Sequence, residues 1–503
     1  MSGDTAEYDD AAPRAGALVE SLRSFGYSPE TAIADLIDNS ISAGASKIDV
    51  YFVWEEESSH IAILDDGAGM DSGQLLEAMR PGSMGPTEER SKKDLGRFGL
   101  GLKTASFSQA RELSVVSRSK SSATAIRCWD LDYVVETGQW RLLRTPALAA
   151  ERYLDRVDEG TGTAVVWTKC DHLVRDLDVD PVRAHDRFLS TADWVARHLG
   201  MTFHRFLSGR KPISITVNQR PVVAWDPIMR HTETHAVNGG NPEVYTYGGS
   251  KVTVRPYVLP HRSKLTEQQQ TEGAGMHGWT AQQGFYVYRN DRLMVAGDWL
   301  GVGGTKDEHT KLARIVVDFD SAIDLAWQID VKKSTARPPG SLLPDFKRVA
   351  RSTRKAAEEV YRFRGGLVRE GSLKSREGLV MAWLEFKGRE GNYKLRVNRE
   401  HPVIVEARSG ITEQKRAVDR VLTFLEETIP TNLIGIRMAE TLDDVVAPYA
   451  SDPNKLMELL VYSLEVMTKS GMARDEAIAT LSGLEPFAGY PALLAAVAEM
   501  ENT

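Results

Sequence analysis

The sequence predicts a mixed α/β fold, and three features of the chain carry that prediction. Apolar residues recur at helical spacing in the segment opened by Ser28 and Pro29, with Ile33, Leu36, Ile37 and Ile41 along one side. The next segment changes period: Ile48, Val50 and Phe52 alternate within Lys47–Trp54, as a half-buried strand requires. Further on, Phe188, Ala192, Val195, Leu199 and Phe206 return to helical spacing over about 185–207, a core-facing stripe. Helices and strands therefore interleave along one chain.

Taken in order, residues 1–12 are small and acidic, and a short helix carrying Leu18, Leu22 and Phe25 follows. On the helix that starts at Pro29, Asp35 and Asn39 are four residues apart and share a face. A carboxylate and a carboxamide projecting together can position a water and hold a hard cation through oxygen. The strand His60–Leu64 runs into Asp65-Asp-Gly-Ala-Gly69. Glycines at 67 and 69 let a flat base approach the backbone, and Asp65 can accept a hydrogen bond from an exocyclic amine. Residues 71–98 lack a clear period and hold Pro81, Gly82, Gly85 and Pro86, a loop composition with room for hinges. Gly96-Arg-Phe-Gly-Leu-Gly101 then leads into a helix at about Leu102, with Lys103 just inside it. Free N–H groups and the positive end of a helix suit a triphosphate. Three such stretches, in this order, read as a nucleotide site.

The three stretches resemble the N, G1 and G2 boxes of the GHKL ATPases, the superfamily of gyrase B, the heat-shock chaperone, histidine kinases and MutL. Leu36-Ile-Asp-Asn-Ser40 and Gly96-Arg-Phe-Gly-Leu-Gly-Leu-Lys103 look most like the MORC ATPases, above all their prokaryotic relatives, which occur beside restriction and phage-defence genes. The resemblance implies a GHKL ATP-binding α/β sandwich over 1–175 with a lid at about 71–98. It implies an S5-like transducer over 176–340, a basic helix and small β segment over 341–411, and a helical module over 412–503. ATP and Mg²⁺ are the implied cofactors. Asp35 stands where hydrolysing members usually carry the glutamate that serves as catalytic base; with its shorter side chain, either the helix sits closer to the phosphate or hydrolysis is slow. By the same resemblance Asn39 binds Mg²⁺, and Asp65 selects adenine beside Gly67, Gly69 and Met70. Gly96, Arg97, Phe98, Gly99, Leu100 and Gly101 cradle the phosphates with Lys103.

Beyond the boxes, strands are expected at 112–118 and 123–129. Gly162-Thr163 opens the strand Ala164–Thr168 and matches the family's third glycine box, so Thr163 is implied to help hold adenine. Ile213–Val217 reads as a strand, with Asn218-Gln219-Arg220 as its turn. Residues 231–282 are loop-rich; His231 and His235 have metal-like spacing, but Glu233 is misplaced for a zinc-protease helix and an ordinary loop is expected. Phe285–Arg289, Arg314–Phe319 and Trp327–Val331 read as strands of a second α/β domain. After them stands Asp330-Val-Lys-Lys-Ser-Thr-Ala-Arg-Pro338. The family's transducer supplies a lysine to the γ-phosphate, here Lys333 with Lys332 as alternate, because strand alternation points only one of them at the nucleotide. The segment 343–364 is a basic helix whose Arg351, Arg354, Lys355 and Arg362 could track phosphates, although Glu358 and Glu359 interrupt them and favour a solvated face. Tyr393–Val397 is a strand, and the chain from Glu413 on is helical.

Composition bounds these readings. A chain of 503 residues suggests three or four domains, and 42% apolar residues supply ample core. The net charge of −8 excludes a global polyanion binder, so any contact with DNA needs a local basic patch. Two cysteines, Cys128 and Cys170, exclude a disulfide framework and a cysteine zinc site, and fit the cytoplasm. With no 18-residue apolar run, no membrane partner is expected. Expected partners are a second copy of the chain, in an ATP-dependent homodimer, then DNA and nuclease or other defence-system proteins. The expectation is an ATPase acting as a clamp or switch. Its rivals are a nucleotide-gated scaffold with little hydrolysis and a heat-shock-chaperone-like ATPase. A histidine kinase would need a phospho-acceptor helix ahead of the ATP site, and only 34 residues precede Asp35.

Overall fold

The structure is a computed structural model that describes residues 13–82, 101–328, 336–362, 382–387, 393–409, 412–429, 453–469 and 472–499, without residues 25, 175, 176, 178, 238–241, 262, 263, 325, 485, 488 and 489. Residues 1–360 form one compact unit and 361–503 a second.

The first unit begins with helices α1 (Ala15–Arg23) and α2 (Pro29–Ser42), strands β1 (Lys47–Val53) and β2 (His60–Asp65), and helices α3 (Ser72–Met79) and α4 (Gly101–Phe107). Strands β3 (Glu112–Arg118) and β4 (Ala125–Asp130) follow, then α5 (Leu131–Thr137), α6 (Leu148–Glu151), α7 (Leu154–Asp158) and β5 (Gly162–Thr168). Next come α8 (Pro181–Thr202), α9 (His204–Leu207), β6 (Ser214–Val217) and β7 (Arg220–Pro221). The strands make one seven-stranded sheet in the order β4-β3-β5-β2-β1-β6-β7. The pleat divides its side chains between two cores. Ile61, Ile63, Val165 and Trp167 pack under the helices with Ile33, Phe107 and Phe188. Ala62, Leu64, Val116 and Val166 face the other way, onto Ala150, Tyr153 and Val157 of α6, α7 and the turn between them. A sheet covered on both faces explains why β2 is apolar at successive positions.

Two elements extend this layer past the domain edge expected at residue 175. Strand β6 pairs in parallel with β1, Lys47 opposite Ser214. The long helix α8 buries Phe188, Val195 and Leu199 in the same core. The reason is geometric: β5 and β6 run in the same direction in this sheet, and α8 is the crossover that carries the chain from one to the other. The expected lid region also contains more order than its composition suggested. Asp71 accepts the N–H groups of Gly73 and Gln74 at 2.8 and 2.9 Å, and Gln74 returns the bond, so a capping box starts α3.

Strands β8 (His235–Ala236), β9 (Glu243–Tyr247) and β10 (Ser250–Val258), helix α10 (Glu267–Ala274), strands β11 (Gly284–Arg289), β12 (Arg292–Asp298) and β13 (Ala313–Phe319) and helix α11 (Leu343–Arg362) complete the first unit. The strands form a second sheet, β12-β11-β13-β10-β8, with β9 on β10. The strand expected at Trp327–Val331 is not formed over its described part: Trp327 and Gln328 lie in a turn, and Trp327 is buried and stacked on Phe319 at 4.4 Å. An apolar anchor in a turn gives the same local signal as the start of a strand. On α11, Arg348 pairs with Glu243 and Arg354 with Asp307, so neither belongs to a free basic stripe.

In the second unit, hairpin β14 (Trp383–Lys387) and β15 (Tyr393–Val397) is followed by α12 (Pro402–Ala407) and α13 (Thr412–Glu427). Helices at Pro453–Lys469, Arg474–Ser482 and Pro491–Glu499 share a core of Leu456, Leu460, Leu464, Leu481 and Phe487. Among the described residues, no helix is long and apolar enough to cross a membrane.

Candidate nucleotide site

Helix α2 presents its polar face at one end of the first sheet. Asp35 is 2% exposed and Asp38 is fully buried, while Asn39 next to it is exposed. The Tyr27 hydroxyl donates to Asp35 Oδ2 at 3.0 Å, which fixes the carboxylate's rotamer. Gln109 in turn donates to the Tyr27 carbonyl at 2.9 Å. Asp35 and Asn39 thus share a face as their spacing predicts, one held and one exposed. An exposed carboxamide beside a buried carboxylate fits a hexacoordinate cation that keeps most of its ligands as water and phosphate oxygen.

The end of β2 is tied to α2 by Ser40, whose hydroxyl donates to Asp65 Oδ2 at 2.8 Å. The Gly67 N–H donates to Oδ1 at 2.9 Å. Burial pushes the Asp65 carboxyl above its ordinary range, against these two donors, which favour the anion. Each Asp65 oxygen keeps acceptor capacity, as reading an exocyclic amine needs. Asp66 instead points back to the Ser46 and Lys47 N–H groups at 2.7 and 2.8 Å, a turn-closing role.

Across the sheet, Thr163 stands opposite Asp65 and opposite Ser117. The Ser117 hydroxyl lies 2.8 Å from the Thr163 hydroxyl and accepts the Met70 N–H at 2.9 Å. A chain of hydroxyls therefore joins Met70 to Thr163 and sets both beside Asp65. Gly69 has φ +64°, and a Cβ there would lie 1.9 Å from the Arg118 carbonyl oxygen, so no other residue fits.

Gly101 opens α4 against α2: a Cβ on it would come within 3.8 Å of Asp35 Oδ2. Lys103, two residues on, is buried, with Nζ donating to the Ala78 carbonyl at 2.9 Å. Burial lowers its pKa to about 8. The structure thus brings Asp35, Asn39, Asp65, Gly67, Gly69, Met70, Gly101 and Thr163 to one end of the first sheet. Gly96, Arg97, Phe98, Gly99 and Leu100 lie outside the described residues, as do Lys332 and Lys333. His231 makes an ion pair with Glu272 at 3.2 Å, and no cluster of three or more metal-ligating His, Cys, Asp or Glu occurs among the described residues.

Four participants were missed from sequence. Tyr27, Ser40 and Ser117 orient the named residues through side-chain bonds. Arg292, from the second sheet, reaches α2 and bonds both oxygens of Asp38 at 2.9 and 2.8 Å. Only Ser40 had a local signal, since it directly follows Asn39 in the same box.

The geometry agrees with the comparisons to known proteins. Residues 27–163 match the family described as histidine kinase-, DNA gyrase B- and HSP90-like ATPase. Over 98 residues, 20% of this chain, the sequence is 34% identical to ATPase morc-1 of Caenorhabditis elegans. Over 99 residues, 19% of the chain, it is 33% identical to Protein MICRORCHIDIA 2 of Arabidopsis thaliana. A longer match, 201 residues and 39% of the chain, is 27% identical to the DNA mismatch repair protein MutL of a Bradyrhizobium species. These matches span 11%, 15% and 28% of the respective relatives.

Proposed function

We propose, from the premise that residues 27–163 are a GHKL-type ATPase domain related to the MORC ATPases and MutL, that the chain binds Mg-ATP and hydrolyses it slowly to ADP and phosphate. The observation that carries this reading is the convergence of three separate boxes on one end of the sheet. Ser40 bonds Asp65, Thr163 stands opposite Asp65, and Gly101 abuts Asp35.

The roles follow from the chemistry of each group. Asp65 accepts the adenine amine, with Thr163 assisting and Gly67, Gly69 and Met70 forming the backbone wall. Asn39 offers an oxygen to Mg²⁺ from the exposed side of α2. Lys103 and the backbone from Gly96 to Gly101 neutralise phosphate charge. Asp35 orients the attacking water and takes its proton, as a general base must. Bound Mg-ATP supplies the phosphoanhydride that is cleaved. Asp35 is held by Tyr27 and is one methylene shorter than the family's glutamate, which would leave the base short of its water and turnover slow. The same observation favours the second reading, a nucleotide-gated scaffold with little hydrolysis.

The second sheet, β8 to β13, acts as an S5-like transducer, and Lys333, or Lys332, reports the γ-phosphate to it. ATP drives homodimerisation of the N-terminal region, and the dimer serves as a clamp or switch on DNA, in the cytoplasm of a prokaryote that uses it for restriction or phage defence beside a nuclease. The support for the DNA part is the likeness to MutL and MORC proteins, together with the exposed Lys347, Arg351 and Lys355 on α11. The testing experiment is a steady-state ATPase assay with and without duplex DNA, paired with calorimetry of a non-hydrolysable ATP analogue. Asp35→Ala is expected to bind the analogue and lose turnover by about 10²–10⁴-fold, while Asn39→Ala loses Mg²⁺-dependent binding. Equal hydrolysis by wild type and Asp35→Ala would place the base elsewhere.

A further inference from the structure

The hairpin β11–β12 turns at Asn290 and Asp291, both with positive φ (48° and 66°), a two-residue reversal that leaves no slack. Both ends of that turn are held. On one side Arg289, buried, pairs with Asp324 at 2.8 Å. On the other, Arg205 of α9 bonds Asp291 at 3.0 Å. The next residue, Arg292, is 4% exposed in its side chain and enters the polar face of α2. Its Nε faces both oxygens of Asp38, and a terminal nitrogen stands 3.7 Å from Asp35 Oδ1. The other terminal nitrogen donates to the Leu293 carbonyl at 3.1 Å.

Asp35 and Asp38 lie one turn apart on α2, at 2% and 0% exposure. Two buried carboxylates this close repel each other, and each is costly to desolvate without a cation. Arg292 is a cation that meets both. The planar fork lets one guanidinium hold Asp38 and still present charge to Asp35, which a lysine point charge cannot do in one position. Resting on the reading of Asp35 as catalytic base, we propose that Arg292 is a positioning residue for ATP turnover. It keeps the Asp35 carboxylate aimed, and it makes the second sheet a required part of the catalytic frame. A shift of the β11–β12 hairpin relative to α2 would then alter turnover without touching the nucleotide.

The test uses the full chain with Arg292→Gln, Arg292→Lys and the double variant Asp38→Asn/Arg292→Gln. Read-outs are the thermal midpoint, affinity for a non-hydrolysable ATP analogue, kcat and KM. A neutral amide pair replaces the buried ion pair in the double variant, so a purely structural bridge is repaired there. The expected result is that Arg292→Gln loses kcat by about tenfold to 100-fold with analogue affinity within about threefold of wild type. Arg292→Lys falls between, and the double variant recovers the midpoint but not kcat. Recovery of kcat together with the midpoint, or unchanged kcat in Arg292→Gln, overturns the proposal while the ATPase reading stands. Failure of wild type to bind the analogue overturns that reading and the proposal with it.

Discussion

An ammonium enclosed by protein holds its proton less tightly than one in water, and Lys103 is such a group, its pKa lowered to about 8 from 10.5 by burial. Below pH 8 the residue is charged in both the folded and the unfolded chain, and the folded chain carries the full cost of burying that charge. Between pH 8 and 10.5 the unfolded chain binds more protons, so the contribution of Lys103 to stability rises with pH across that window. Urea unfolding of wild type and Lys103→Met at pH 7 and pH 9.5 checks this. The wild type should gain on the order of 1–3 kcal/mol relative to the variant at the higher pH. On the proposed role of Lys103 at the nucleotide phosphates, the same lysine should take up a proton when nucleotide binds near pH 8.5. Asp65 shows the complementary arrangement: burial pushes its carboxyl up, and Ser40 and Gly67 oppose that by bonding the anion.

At the scale of elements, the turn between β2 and α3 is built on backbone approach that tolerates no side chain. Gly69→Ala would set a Cβ 1.9 Å from the Arg118 carbonyl oxygen at a positive φ. The expected cost is about 2–4 kcal/mol, read as a lower midpoint in thermal unfolding, with loss of nucleotide affinity because Met70 follows directly. This turn was legible in the sequence, as were α2 and β1 through β5, because glycine placement and apolar period are local properties. The site's supporting bonds were not. Ser40 meets Asp65 across 25 residues and Ser117 meets Met70 across 47, distances that no window of periodicity spans. Arg292 reaches Asp38 across 254 residues and resembles any polar residue after a hairpin turn until the second sheet is in place. Helix α3 carries a local signal, since Asp71 and Gln74 at capping-box spacing outweigh a general loop composition. Strand β6 was legible as a strand, but its assignment to the first sheet was not, because pairing partners are set by the crossover and not by the strand itself.

For the whole molecule, the contacts that join the two sheets include the charged pairs Arg292–Asp38 and Arg205–Asp291 and an apolar cluster in which Met201 of α8 packs with Tyr286, Tyr288 and Leu293. A ligand shifts a conformational equilibrium only through contacts that differ between its states. ATP and ADP differ at the γ-phosphate, so a lysine that reaches it, Lys333 in the reading above, is the natural source of a difference in domain angle. Sedimentation should accordingly show a dimer with a non-hydrolysable ATP analogue and a smaller species with ADP. Lys333→Ala should keep most of its affinity for ATP, dimerise less and hydrolyse slowly. A constitutive dimer equally apposed in every nucleotide state would remove the gating model. The layout of the first sheet has a different consequence, for the chain as it is made. Thr216 of β6 bonds Asp49 of β1 at 2.7 Å across 167 residues. At about 5–20 residues per second, a ribosome leaves the β1 edge unpaired for roughly 8–30 s after it emerges. Such an edge invites pairing with another chain, and charges along it are the usual protection. Lys47 and Asp49, ion-paired at 3.0 Å in the folded protein, place opposite charges on that edge while it waits for β6.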